Sequence, residues 1–131
     1  MKELKKNILL VDDDKINHFI NEQLITSMGL ANHIYKAFNG LEALRILKFC
    51  CENVREKLDV ILLDLHMPVM DGFAFMEAFQ ELECVNKKYI SVALVTSSHD
   101  PGDMEKARLL GVHHFFAKPL SPEYLRTIFN G

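Results

Sequence analysis

The chain has 131 residues, of which 49% are hydrophobic and 25% charged, and its formal net charge is −3. A length in the range of one domain, roughly 100–150 residues, allows a compact core and excludes a second domain of useful size. Fifteen basic residues against eighteen acidic ones give no field to attract nucleic acid, and no apolar run approaches the roughly 20 residues that span a bilayer.

The first residues, Met1-Lys2-Glu3-Leu4-Lys5-Lys6-Asn7, form a charged cap and not a secretion signal, because the apolar stretch behind them is short and runs into aspartates. That stretch, Ile8-Leu9-Leu10-Val11, is a continuous apolar run of the kind buried on both faces of a parallel sheet. Ile16, Phe19, Ile20, Leu24 and Met28 then follow at helical spacing on one face, with Gly29 as terminator. His33-Ile34-Tyr35-Lys36-Ala37 alternates and reads as an edge strand. A helix from about residue 40 to 51 carries Leu41, Leu44 and Leu47. After a polar stretch over 51–58 comes a second apolar run, Val60-Ile61-Leu62-Leu63.

Asp71 is a candidate cap for a helix to about residue 82, with Phe73, Met76, Phe79 and Leu82 as its apolar positions. Residues 83–89 read as loop. Val92-Ala93-Leu94-Val95 is the third run, and Met104, Ala107 and Leu110 mark a helix that ends at Gly111. Phe115-Phe116-Ala117 is the last run, and Ser121-Pro122-Glu123 opens a final helix with a capping serine and a first-turn proline. Strand and helix thus alternate five times, which predicts an α/β doubly wound sheet with helices on both faces. The chain ends with that helix, so the expectation is one domain over residues 1–131 without a linker to an output domain.

Polar residues collect where the apolar runs stop. The first run ends in Asp12-Asp13-Asp14, the second in Asp64, the third in Thr96-Ser97 and the last in Lys118. In open α/β sheets ligands bind outside the carboxyl ends of the strands. Several carboxylates held together raise one another's pKa unless a counter-charge is present. Lys118 and a bound metal are the two candidates, and an all-oxygen donor set favours a hard cation such as Mg²⁺. A carboxylate beside Mg²⁺ and a lysine is a reasonable nucleophile toward phosphorus, giving an acyl phosphate.

Four segments carry a family resemblance that covers nearly the whole chain: Ile8-Leu9-Leu10-Val11-Asp12-Asp13-Asp14, Asp64-Leu65-His66-Met67-Pro68-Val69-Met70-Asp71-Gly72, Leu94-Val95-Thr96-Ser97 and Lys118-Pro119. In this order they resemble the receiver domains of two-component response regulators, of the stand-alone chemotaxis-regulator type. The resemblance implies a flavodoxin-like five-stranded sheet of order 2-1-3-4-5. Asp64 would be the phosphoacceptor, phosphorylated by a sensor histidine kinase or a histidine phosphotransfer protein. Asp12, Asp13, Asp64 and the backbone carbonyl of His66 would hold Mg²⁺ or Mn²⁺. Lys118, Thr96 and Ser97 would surround the phosphoryl group, and Phe115 would be the switching aromatic. The Lys118-Pro119 bond would be cis. Signalling would pass through the face built from the fourth helix, fifth strand and fifth helix to a downstream protein, with dimerisation on phosphorylation left open. Such a domain catalyses at most its own phosphorylation and dephosphorylation.

Ser97 stands where the family more often has alanine, and His66 and Ser98 occupy positions that tune how long the phosphate survives. Asp14 reads as the cap of the first helix. His18, His33 and His99 read as surface or edge residues, and His113-His114 would point to opposite faces of a strand. Cys50, Cys51 and Cys84 lack a metal-ligand pattern, so reduced thiols in a cytoplasmic protein are expected.

Rival functions fit less well. A phosphatase using Asp12 and Asp14 needs a larger chain and a capping element. A flavin carrier needs a hydroxyl-rich phosphate loop where three aspartates stand. An EF-hand at Asp12 would need glycine at Asn17 and glutamate at Gln23. A phosphate-independent docking module would have no use for Asp13, Asp64, Thr96 and Lys118 together.

Overall fold

Ile8 to Val11 lie within a strand, β1 (Lys6–Val11), and all of them are buried, because helices cover both faces of the sheet. A computed structural model describes residues 5–67, 69–84, 87–97 and 100–130. The remaining strands are β2 (Ala31–Ala37), β3 (Val60–Leu63), β4 (Ser91–Thr96) and β5 (His114–Ala117). The helices are α1 (Lys15–Ser27), α2 (Gly40–Glu52), α3 (Gly72–Glu81), α4 (Pro101–Leu109) and α5 (Pro122–Asn130). All strand pairs are parallel, in the order β2-β1-β3-β4-β5. The flavodoxin-like sheet expected from the sequence is therefore the one observed.

Alternation along the strands divides the core in two. Leu9, Val11, Ile61, Leu63, Val92 and Leu94 pack against Leu47 of α2, Phe75 and Met76 of α3 and Ala107 of α4. Ile8, Leu10, Val60, Leu62 and Ala93 pack against Ile25 of α1 and Leu125 and Ile128 of α5. The helix starts are capped as the residue types predict: Asp14 accepts from the Ile16 N–H, Asp71 from the Ala74 N–H and Ser121 Oγ from the Tyr124 N–H. Gly29 and Gly111, the two predicted terminators, have φ of +67° and +100°, the left-handed region that glycine enters without strain.

The helical stripe read on α1 is corrected. Ile16, Phe19 and Ile20 are 67%, 63% and 53% exposed, and the buried residues are His18 and Ile25. At 3.6 residues per turn, positions seven apart fall on one side, so His18 and Ile25 define the inward face and Ile16, Phe19 and Ile20 the outward one. Leu24 and Met28 sit between and still pack on the core. On α4, Met104 is exposed as well, and Ala107 is the buried anchor.

The cysteine expectation is also corrected. The end of α2 lies beside the segment after α3, which brings Cys51 and Cys84 to a Cα–Cα separation of 5.4 Å with their sulfurs bonded, within the range a bridge spans. Cys50 stays free and buried. This pairing removes the cysteine argument for a reducing compartment.

The reading of His18 as a surface residue fails, because its ring is buried. His33 is exposed on the edge strand β2. His113 is exposed just before β5, with Nδ1 accepting from the Val92 N–H, and His114 is half-buried. Pro68, Ser98 and His99 lie outside the described residues. No helix among the described residues is long and apolar enough to cross a membrane.

Candidate functional site

Sheet register brings the charged residues together. Val11 is paired with Leu63, so the residues that follow them, Asp12 and Asp64, leave adjacent strands at the same level. The Asp64 N–H donates to the Val11 carbonyl at 2.9 Å. On the other side Thr96 pairs with Ala117, which puts Lys118 one position beyond β5 and two strands away from Asp64. A side chain as long as lysine's crosses that gap. Lys118 Nζ lies 3.1 Å from Asp64 Oδ2 and 3.2 Å from Asp12 Oδ2, and the Lys118-Pro119 bond is cis.

Gly72 lets the loop after β3 close tightly over this edge. Its N–H donates to the Leu65 carbonyl at 2.8 Å. A Cβ at this position would stand 2.9 Å from the Asp64 carbonyl oxygen and 3.0 Å from Leu65 Cα, where only backbone could yield. In the same loop Val69 has φ of 71°, a region that costs a β-branched residue of order 1–3 kcal/mol.

Asp12 and Asp64 are both buried, whereas Asp13 is exposed. One carboxylate oxygen from each of the three lies within 4.8 Å of the others. Asp12 is held on both oxygens: Oδ1 accepts from the Asp14 N–H at 2.8 Å and Oδ2 from Asn17 Nδ2 at 3.3 Å. With three carboxylates ionised and one ammonium, the cluster carries two net negative charges, and a divalent cation cancels them. The donors are all hard oxygens, so the residues present fit Mg²⁺ or Mn²⁺. Beside them opens a cavity of about 100 Å³, lined by Asp12, Asp64 and Lys118, by Asn17 and Ile20 of α1 and by Leu120 in the loop before α5.

Burial pushes the Asp64 carboxyl above the ordinary aspartate range, the nearby Lys118 ammonium pulls it back, and the charges of Asp12 and Asp13 push it up again. For Lys118, burial favours the neutral amine, but Asp64 and Asp12 outweigh it and hold the ammonium above its usual value. A carboxyl raised in the folded state contributes stability below its unfolded pKa and loses it as pH rises through the folded value. Ionised Asp64 is therefore a net cost at pH 7. Asp64→Asn is expected to melt a few degrees above the parent in metal-free buffer at pH 7, with the gap narrowing as the pH falls toward about 4. Thermal melts at the two pH values check this; an unchanged or lower melting temperature at pH 7 contradicts the stated balance.

Other sequence-predicted residues flank the cluster. Thr96 is buried at the end of β4 and Ser97 is exposed just past it. Phe115 is half-buried against the α2–α4 side of the core. The exposed His66 ring turns toward α4, with Nε2 3.7 Å from an Asp103 carboxylate oxygen. Not foreseen from the sequence is Asn17, whose side-chain amide donates to Asp12 Oδ2. The signal was available: a helix that starts directly after an acidic turn folds its first residues back over that turn.

Comparison with known proteins agrees with this geometry. The family model described as the response regulator receiver domain matches residues 8–130. A hybrid signal transduction histidine kinase G from Dictyostelium discoideum is 32% identical over 98% of this chain, which spans only 4% of the kinase's length. A two-component response regulator from Cytophaga hutchinsonii superposes with a TM-score of 0.87 at 29% identity, covering 97% of this chain and 96% of that one. A receiver from Saccharomyces cerevisiae, solved with the histidine phosphotransfer protein Ypd1 as the receiver domain of Ssk1, gives a TM-score of 0.77 at 25% identity, covering 98% of this chain and 89% of that one. Fold, family model and relatives agree, and this chain is a member of the response regulator receiver domain family of two-component signalling.

Proposed function

We propose that Asp64 accepts a phosphoryl group from a histidine kinase or a histidine phosphotransfer protein and that the resulting change of shape is read by a downstream protein. The observation that carries this reading is the Lys118 ammonium bridging Asp64 and Asp12, at 3.1 and 3.2 Å, beside a third carboxylate. An Asp64 carboxylate oxygen attacks phosphorus, the bond from phosphorus to the donor's imidazole nitrogen breaks, and an acyl phosphate remains on Asp64. Lys118 turns from the Asp64 carboxylate to a phosphoryl oxygen. Asp12, Asp13, Asp64 and the His66 carbonyl would hold Mg²⁺, which when bound offsets the charge of the incoming group.

The added group carries about −1.5 to −2 charges and strong acceptor oxygens. Thr96 and Ser97 close on it, and Phe115 turns into the space that Thr96 leaves. Moving a population from 1:99 to 99:1 takes about 5.5 kcal/mol, within reach of several charge-assisted hydrogen bonds and one repacked aromatic ring. A protein donor must cover the rim of the pocket, and α1 supplies that rim. Its exposed Ile16, Phe19 and Ile20 offer the apolar surface such a partner would bury. The site belongs in the cytoplasm, where kinases find ATP.

The test is incubation with a small acyl phosphate and Mg²⁺ followed by intact mass. The expected result is the mass of one added phosphoryl group, absent with chelator and absent in Asp64→Asn. Labelling that persists in that variant, or that ignores the metal, contradicts the proposal.

A further inference from the structure

His18 sits in the first turns of α1, only 2% exposed, beneath the acidic turn. Its Nε2 lies 2.7 Å from the Asp12 carbonyl oxygen and 3.0 Å from that of Ala37. Both are acceptors only, so Nε2 carries the proton and is shared between them. Nδ1 is buried with no hydrogen-bond partner among the described residues, and the Phe38 ring stacks at a tilt 4.5 Å away. A leucine would fill this volume without an orphaned nitrogen, so packing alone does not account for a histidine here.

The other contacts of Asp12 show what the ring adds. The Asp12 N–H donates to the same Ala37 carbonyl at 3.1 Å, its Oδ1 is held by the Asp14 N–H and its Oδ2 by Asn17 and Lys118. The carbonyl is the remaining free end of the residue, and His18 holds it. From these contacts we infer that His18 is a positioning residue, whose ring N–H pins the Asp12 peptide to the end of β2 and thereby fixes the turn that presents Asp12 and Asp13 to a divalent cation. The inference rests on the metal reading above and concerns a residue outside the carboxylate set.

The experiment measures Mg²⁺ binding to the unphosphorylated protein by calorimetry for the parent, His18→Leu and His18→Gln, with circular dichroism to confirm the fold. His18→Leu should bind Mg²⁺ about tenfold more weakly, the loss typical of removing a group that orients a metal ligand. His18→Gln, whose amide N–H can reach the same carbonyls, should recover most of it. Equal affinity in His18→Leu and the parent overturns the inference, as does a glutamine variant as weak as the leucine one. Should His18→Leu fail to fold, the unaltered protein decides: the His18 ring N–H resonance must move as Mg²⁺ saturates the site, and a static resonance overturns the inference. A parent that binds no Mg²⁺ removes the metal reading together with this one, whereas a binding parent with an unaffected leucine variant removes this one alone.

Discussion

Lys118→Met is expected to fold normally and to take up phosphate from a small acyl phosphate about 10²–10³-fold more slowly than the parent. That is the loss seen when one fixed group stabilising developing charge is removed from an enclosed site. The methionine keeps most of the stem volume and deletes only the ammonium that stands 3.1 Å from Asp64 Oδ2. Its two effects have opposite signs. Without the ammonium the Asp64 carboxyl rises further, because Lys118 supplies the interactions that lower it. The carboxylate cluster also becomes one charge more negative, so Mg²⁺ should bind at least as tightly as in the parent. Stopped-flow uptake with parallel Mg²⁺ calorimetry reads both. General damage to the site would weaken both together; slow transfer with undiminished cation binding is particular to this geometry.

Asp13→Asn gives the second large effect, and it is read without any phosphate. A cation that binds only the folded state stabilises it by about 2.7 kcal/mol at 100 times its Kd, which raises the melting temperature by several degrees in a domain of this size. Asp13 is exposed and contributes one of the three clustered carboxylates. In metal-free buffer its loss should therefore leave stability unchanged or raise it, since it relieves repulsion from Asp12 and Asp64. With Mg²⁺ present the variant should gain far less than the parent. Asp14→Asn is the control. Asp14 caps α1 through the Ile16 N–H, asparagine caps about equally well, and the Mg²⁺-dependent gain should survive. A parent-sized gain in Asp13→Asn would remove Asp13 from the metal site.

The sheet and the reactive edge were legible in the sequence because both rest on short-range rules. Continuous apolar runs such as Val60–Leu63 are strands buried on both faces, and each run ended at a residue that parallel register then set beside its neighbours. Helix α1 turns its apolar stripe outward for an equally physical reason. Ile16, Phe19 and Ile20 form a stripe, and helical spacing alone does not say which side of a helix meets the sheet. Here the inward face near the N-terminus is polar, since it rests on an acidic turn, and His18 takes a place that periodicity would give to leucine. The Cys51–Cys84 pair was beyond reach as well, because no local signal shows that the end of α2 runs beside the segment after α3.

Borohydride reduction of the phosphorylated protein, followed by digestion, locates the phosphoacceptor, because the reduction converts an acyl-phosphate aspartate to homoserine and peptide sequencing reports its position. The expected result is conversion at position 64 and nowhere else, dependent on Mg²⁺. Conversion at position 12 or 13, or phosphate bound to the chain with no converted aspartate, would contradict it.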